Sequence, residues 1–220
     1  MTSKFGFWAA SAAFVFSIAY GIPQLLQVAG ILADPWDRIL IFAPSLALAP
    51  AFVLTMVAVE RWSPLDRRVL GGAAMALAIM YGALVSVVYI IQLGAVIPHD
   101  LRGEASATAL FACCGVNQPM TQVDLLGYTL MSLSTGFAAP LFVGKGVRRA
   151  ASFWLAANGL LAPFLLFQLV WPWLIYVGAL WLVTFPLSML FLALTFRQTP
   201  AITAEFELGP LAARLNIGDS

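Results

Sequence analysis

The chain has 220 residues, of which 62% are hydrophobic and 10% charged, with a net charge of +1 and a mean hydropathy of +0.94. A soluble domain needs about a quarter of its residues charged, so this chain cannot clothe itself in water and is expected to be solvated by a lipid bilayer. The near-neutral balance excludes the basic face that nucleic acid requires. The single histidine excludes bis-histidine haem, di-iron and imidazole-rich zinc sites, so neither metal nor cofactor is expected.

Crossing the hydrocarbon takes about 20 apolar residues in a helix. The first run, Phe5 to Leu32, has the lysine and small residues of a secretory leader. Its small residues stand at the beginning of the apolar stretch, however, and hydrophobicity continues well beyond them, which reads as an uncleaved helix. After "ADPWDR" comes Ile39 to Val59, and after "ERWSPLDRR" comes Val69 to Ile97. The longest connection, "PHDLRGEASATALFACCGVNQPMTQVD", leads to Leu125 to Val143. "GKGVRR" then precedes Ala150 to Val170, and only Trp171–Pro172 separates that run from Trp173 to Phe196. The tail 197–220 is short and mildly amphipathic around "LGPLAARLN", suited to touching a partner or the membrane surface. The expectation is an all-α, single-domain bundle of six membrane helices over 1–220.

Lys and Arg in short loops set orientation. Lys4, Arg61, Arg67, Arg68, Lys145, Arg148, Arg149, Arg197 and Arg214 fall on one side of this threading, and Arg38 and Arg102 on the other. Both termini are therefore expected in the cytoplasm. The tryptophans agree: Trp36, Trp171 and Trp173 belong at the outer interface, Trp8, Trp62 and Trp154 at the inner one, and only Trp181 lies well inside a span.

Polar side chains recur within the spans. On a helix Tyr20, Gln24 and Gln27 share one face, and the third span offers Tyr81, Tyr89 and Gln92. The fourth has Tyr128, Ser132 and Thr135, the fifth Asn158 and Gln168, the sixth Tyr176 and Thr184. Lipid offers such groups no partner, so they turn toward the bundle interior. One reading is interhelical hydrogen bonding, each bond worth about 0.6 kcal/mol. The other is a polar cavity lined by Tyr20, Gln24, Gln27, Tyr89 and Gln92 that binds or passes a small neutral or zwitterionic molecule.

Prolines at 23, 44, 50, 140, 163 and 186 fall where helices would break. Ala74, Ala78, Gly82 and Ser86 form a small-residue stripe that makes the third span central and offers a contact to a membrane-protein partner or a second copy. "SLALAPAFVLTMV" resembles "GLLAPFLLFQLV", and "YGALVSVVYI" resembles "YVGALWLVTF". The order fits a weak inverted repeat of three helices plus three.

The chemistry-bearing motifs are sparse. Cys113 and Cys114 are read first as small apolar residues on a short outer helix, with a vicinal or intermolecular disulfide as the alternative. "IPHDLRGE" reads as a charge cluster at a helix end ahead of a His99–Asp100 general base, and Asp124 as an N-terminal cap. "GFAAPLFVGKG" lacks the glycine and hydroxyl of a phosphate loop. No catalytic residue is assigned, and an enzyme using Asp124, His99 or Glu60 ranks behind a solute-binding bundle and an accessory or scaffold subunit. In size and orientation the outline is similar to the small six-helix substrate-capture subunits of vitamin uptake systems, a likeness of architecture that carries no residues over.

Overall fold

In the computed structural model, which describes residues 2–115 and 118–198, six segments are long and apolar enough to cross a membrane. They are Ser3–Val28, Trp36–Trp62, Leu65–Leu101, Pro119–Phe142, Val147–Phe167 and Pro172–Gln198. The chain is thus a multi-pass, all-helical bundle over its described residues. The tail at 199–220, with Arg214, lies outside them.

The first two spans are the continuous helices α1 (Thr2–Val28) and α2 (Trp36–Trp62). The third is α3 (Arg68–Ile91), which widens into a π turn at Gln92–Val96 and continues as α4 (Ile97–Leu101). A short helix α5 (Ala105–Thr108) lies in the connection to α6 (Pro119–Ala138), and α7 (Val147–Gly159) follows. The fifth span finishes as α8 (Ala162–Phe167), and the sixth consists of α9 (Ile175–Gly178) and α10 (Trp181–Gln198). The fourth span starts six residues before the expected Leu125, because Pro119 is a good first helical residue that has no amide proton to leave unpaired.

The long helices close a ring in chain order: α1 packs on α2, α2 on α3, α3 on α6, α6 on α7, α7 on α10 and α10 back on α1. Aromatic side chains fill its middle. Phe52 meets Tyr81 and Phe185, Tyr81 meets Tyr128, and Trp181 meets Tyr128 and Tyr20, with ring centroids 4.9–6.1 Å apart. Outside the ring, exposed side chains such as Val15, Ile22, Leu54, Ile79 and Val87 present an apolar surface.

Four of the six prolines do not break their helices. Pro23, Pro44, Pro50 and Pro186 sit inside α1, α2 and α10, whereas Pro140 and Pro163 do coincide with helix ends. A membrane helix tolerates proline because neighbouring helices and side chains re-satisfy the freed carbonyl.

Close helix approach comes from glycine. A β-carbon at Gly82 would stand 2.9 Å from Val53 Cγ2, and one at Gly127 would stand 2.6 Å from Val85 Cγ1. At Gly159 it would meet the Gly136 α-carbon at 2.5 Å, so α6 and α7 touch backbone to backbone there. Ala74, Ala78 and Gly82 are buried within this chain, which makes the third span central, and Ser134 donates to the Ala74 carbonyl at 2.7 Å.

Candidate functional site

The ends of α1, α3 and α4 meet the starts of α2 and α6 at one end of the bundle. Two polar lines tie them together. Tyr20 Oη donates to Gln24 Oε1 (3.4 Å), Gln24 Nε2 to Gln27 Oε1 (3.0 Å), and Gln27 Nε2 to Asp37 Oδ2 (2.8 Å). Arg38 pairs with Asp34 and donates to Asp100 at 2.5 Å, linking the first connection to the end of the third span. Asp100 is thus committed to Arg38, and His99 Nδ1 faces the Ala95 carbonyl at 2.8 Å, so the two neighbours do not form an acid–base pair.

The π turn begins at Gln92, whose amide is 1% exposed. Its Nε2 donates to the Phe111 carbonyl at 2.8 Å and its Oε1 accepts from the Cys113 amide at 3.1 Å. Gln92 therefore holds the loop that carries the cysteines. From the far side Gln118 Oε1 accepts from the Gly115 amide (2.8 Å), and Thr121 Oγ1 donates to the Gly115 carbonyl (2.9 Å). Between these clamps Cys113 and Cys114 are bonded to each other, which overturns their reading as unbonded apolar packing residues.

Beside the disulfide lies Asp124. Its carboxylate and the two sulfurs all fall within 4.8 Å of one another. The extra turn of α6 places Asp124 inside the helix rather than at its first turn, and Gln118 at the cap position accepts no side-chain hydrogen bond, so the cap reading of Asp124 fails. Its Oδ1 is buried without a hydrogen-bond partner, and no ion pair among the described residues includes it. The carboxyl acts electrostatically on the hydroxyls of Tyr20, Tyr81, Tyr89 and Tyr128, with Tyr89 beside it. Tyr89 and Tyr128 share a hydrogen bond of 2.9 Å, and Phe42 stacks on Tyr89. Tyr81 Oη, Ser132 Oγ and Trp181 Nε1 are also buried without partners. Buried polar atoms are normally satisfied, and Asp124, Tyr81 and Trp181 bring three unsatisfied ones to the cluster around Tyr128, which makes it the candidate site.

A cavity of about 100 Å³ opens next to this cluster, lined among others by Cys114, Thr121, Gln122, Leu125 and Gln168. The lining mixes amides, a hydroxyl and aliphatic carbon, so it can accept a small amphipathic group. Sulfurs joined in a disulfide carry no thiolate for a metal.

Of the five residues expected to line a cavity, Tyr20 and Tyr89 reach the aromatic cluster, through Trp181 and Tyr128 respectively. Gln24 and Gln27 lead away to Asp37, and Gln92 is taken up by the loop. Asp124, Tyr128, Tyr81 and Trp181 were not among the five. The available signal was Tyr128 standing one helical turn after Asp124, which puts both on one face. Deeper in the bundle Asn158 accepts from Thr184 and donates to Thr135, both at 2.9 Å, the interhelical bonding expected of such residues. No protein-family model matches the chain, and no curated protein or solved structure is significantly similar to it.

Proposed function

We propose that this multi-pass membrane protein binds or passes a small neutral or zwitterionic solute at the Asp124–tyrosine cluster. The single observation that carries the reading is Asp124 itself: a carboxylate with one buried oxygen that accepts no hydrogen bond, inside a span, beside phenols. An ionisable group inside a membrane bundle is a functional residue by default. The ammonium of a zwitterion would pair with Asp124 and lie against the Tyr and Trp rings, which attract cations through their faces. The solute would enter by the cavity beside Cys114. In this reading the basic residues Lys4, Arg61, Arg67, Arg68, Lys145, Arg148, Arg149 and Arg197 lie on the cytoplasmic side, so the Asp124 end opens away from the cytoplasm.

The accessory-subunit reading has less support, because Ala74, Ala78 and Gly82 are occupied within the chain. Of the acid–base residues weighed for an enzyme, His99 is bonded to the Ala95 carbonyl and Glu60 pairs with Arg68 and Arg61.

Thermal unfolding of the purified chain, with glycine betaine, choline and a small neutral amide as probes, tests the proposal. The zwitterion is expected to raise the Tm of the natural chain and not that of Asp124→Asn. A zwitterion that leaves Tm unmoved, or that stabilises both proteins equally, overturns it.

A further inference from the structure

We propose that Cys113–Cys114 is a thiol–disulfide exchange centre that takes two electrons from a small dithiol, with Asp124 as its proton carrier. This goes beyond solute binding and does not depend on it.

A disulfide stabilises a fold chiefly by tying together residues distant in sequence, and its effect shrinks with the loop it closes. A bond between neighbours closes almost no loop and ties no two elements of this bundle together. What it does offer is a pair of electrophilic sulfurs at an accessible place. Cys114 is exposed and lines the cavity of about 100 Å³, while Cys113 is half-buried beneath it. The backbone on both sides is held independently of the bond, by Gln92 at Cys113 and by Gln118 and Thr121 at Gly115. The backbone that carries both sulfurs is therefore anchored whether the bond is closed or open.

Exchange needs the attacking thiol to lose a proton and the departing sulfur to gain one. Asp124 lies within 4.8 Å of both sulfurs, with one buried oxygen that bonds to nothing else. The substrate thiol gives its proton to the Asp124 carboxylate and attacks Cys114 Sγ. The S–S bond breaks, and Cys113 leaves with the electron pair and takes that proton from Asp124. The second substrate thiol then attacks the substrate's own sulfur in the mixed disulfide and passes its proton by the same carboxylate to the departing Cys114. The substrate ends as a cyclic disulfide, oxidised by two electrons, and the protein ends as a dithiol. Asp124 returns to its starting state, and no further oxidant enters the step.

The test uses the full chain purified without reductant, with dithiothreitol as the probe. Titration should find no free thiol before the reaction and a reduced pair afterwards, matched by an equivalent of cyclic oxidised dithiothreitol. Asp124→Asn should slow the reaction by about a hundred-fold, the scale of lost proton transfer, with its Tm and final thiol count unchanged; Asp124→Glu should restore part of the rate. In single-cysteine variants Cys114, left by Cys113→Ser, should react with a small disulfide reagent about ten-fold faster than Cys113, left by Cys114→Ser, because exposure governs thiol access. Free thiols in the untreated protein, equal rates for the natural chain and Asp124→Asn, or equal reactivity of the two single cysteines would each overturn the proposal. The single-cysteine comparison stands even if Asp124→Asn fails to fold.

Discussion

At one end of the bundle Trp62 lies flat on Phe142 with ring centroids 4.8 Å apart, and the Arg148 guanidinium sits 5.3 Å over the same indole. Arg67 donates to the Pro140 carbonyl at 3.0 Å and Arg68 to Glu60 at 3.0 Å. Ser63, Thr55 and Ser152 each bond a backbone carbonyl. The opposite end holds the disulfide, a cavity, and Asp124 with an oxygen bonded to nothing. Polar groups at the first end are used up by the chain that carries them, which is what a structural role requires. At the second, Asp124 keeps an oxygen open among groups that are bonded, at a cost in stability that a ligand or a reaction would recover.

The largest effect is expected where both ends depend on a shared crossing. Gly159→Leu drives a side chain into the Gly136 backbone and should cost about 3 kcal/mol, read as a fall in Tm with loss of a monodisperse folded peak. Gln92→Leu removes two bonds to the cysteine loop and should cost about 1–2 kcal/mol. It should also speed proteolysis within 105–115 while leaving cleavage at the basic end unchanged. Arg148→Ala should cost about 0.5–1 kcal/mol, and it should leave the dithiol reaction at the far end untouched. Asp124→Asn carries the smallest expected change in stability: Tm unchanged or slightly higher, since a carboxylate with a buried, unbonded oxygen is exchanged for a neutral amide. A Tm drop for Asp124→Asn as large as that for Gln92→Leu would place Asp124 with the structural groups and erase the contrast.

Much of the bundle could be read from the chain, because hydrocarbon permits few alternatives. Runs of apolar residues long enough to cross it give helices, and the charged breaks lie where the chain turns back. Trp181 illustrates this: alone among the tryptophans it sits well within a span, and it is 4% exposed at the aromatic centre. The site was harder to read, for a different reason in each case. Asp124 depends on where α6 begins, and Pro119 moved that start by more than a turn. Gln92 has the same composition and periodicity whether it faces a solute or a loop, and only the path of residues 105–115 decides. Cys113 and Cys114 can bond or remain thiols with no change in the surrounding sequence. Gly136 and Gly159 are two glycines among 17, and nothing local says that they meet.

The wide turn at Gln92–Val96 sets the angular phase of everything after it. Each residue of an α-helix advances the chain by about 100°, and a π turn accommodates one more residue than the regular spiral does. Removing Gly94, around which no neighbour stands within 4 Å of a β-carbon, would let the segment rewind as ordinary α-helix. His99 and Asp100 would keep nearly the same direction, because the wide turn packs its extra residue into about the same rotation, and Arg38 would keep its partner across the bundle. A single-residue deletion at this uncrowded position should thus preserve the latch between the first connection and the third span, whereas the same deletion within the regular part of α3 would turn Asp100 away from Arg38.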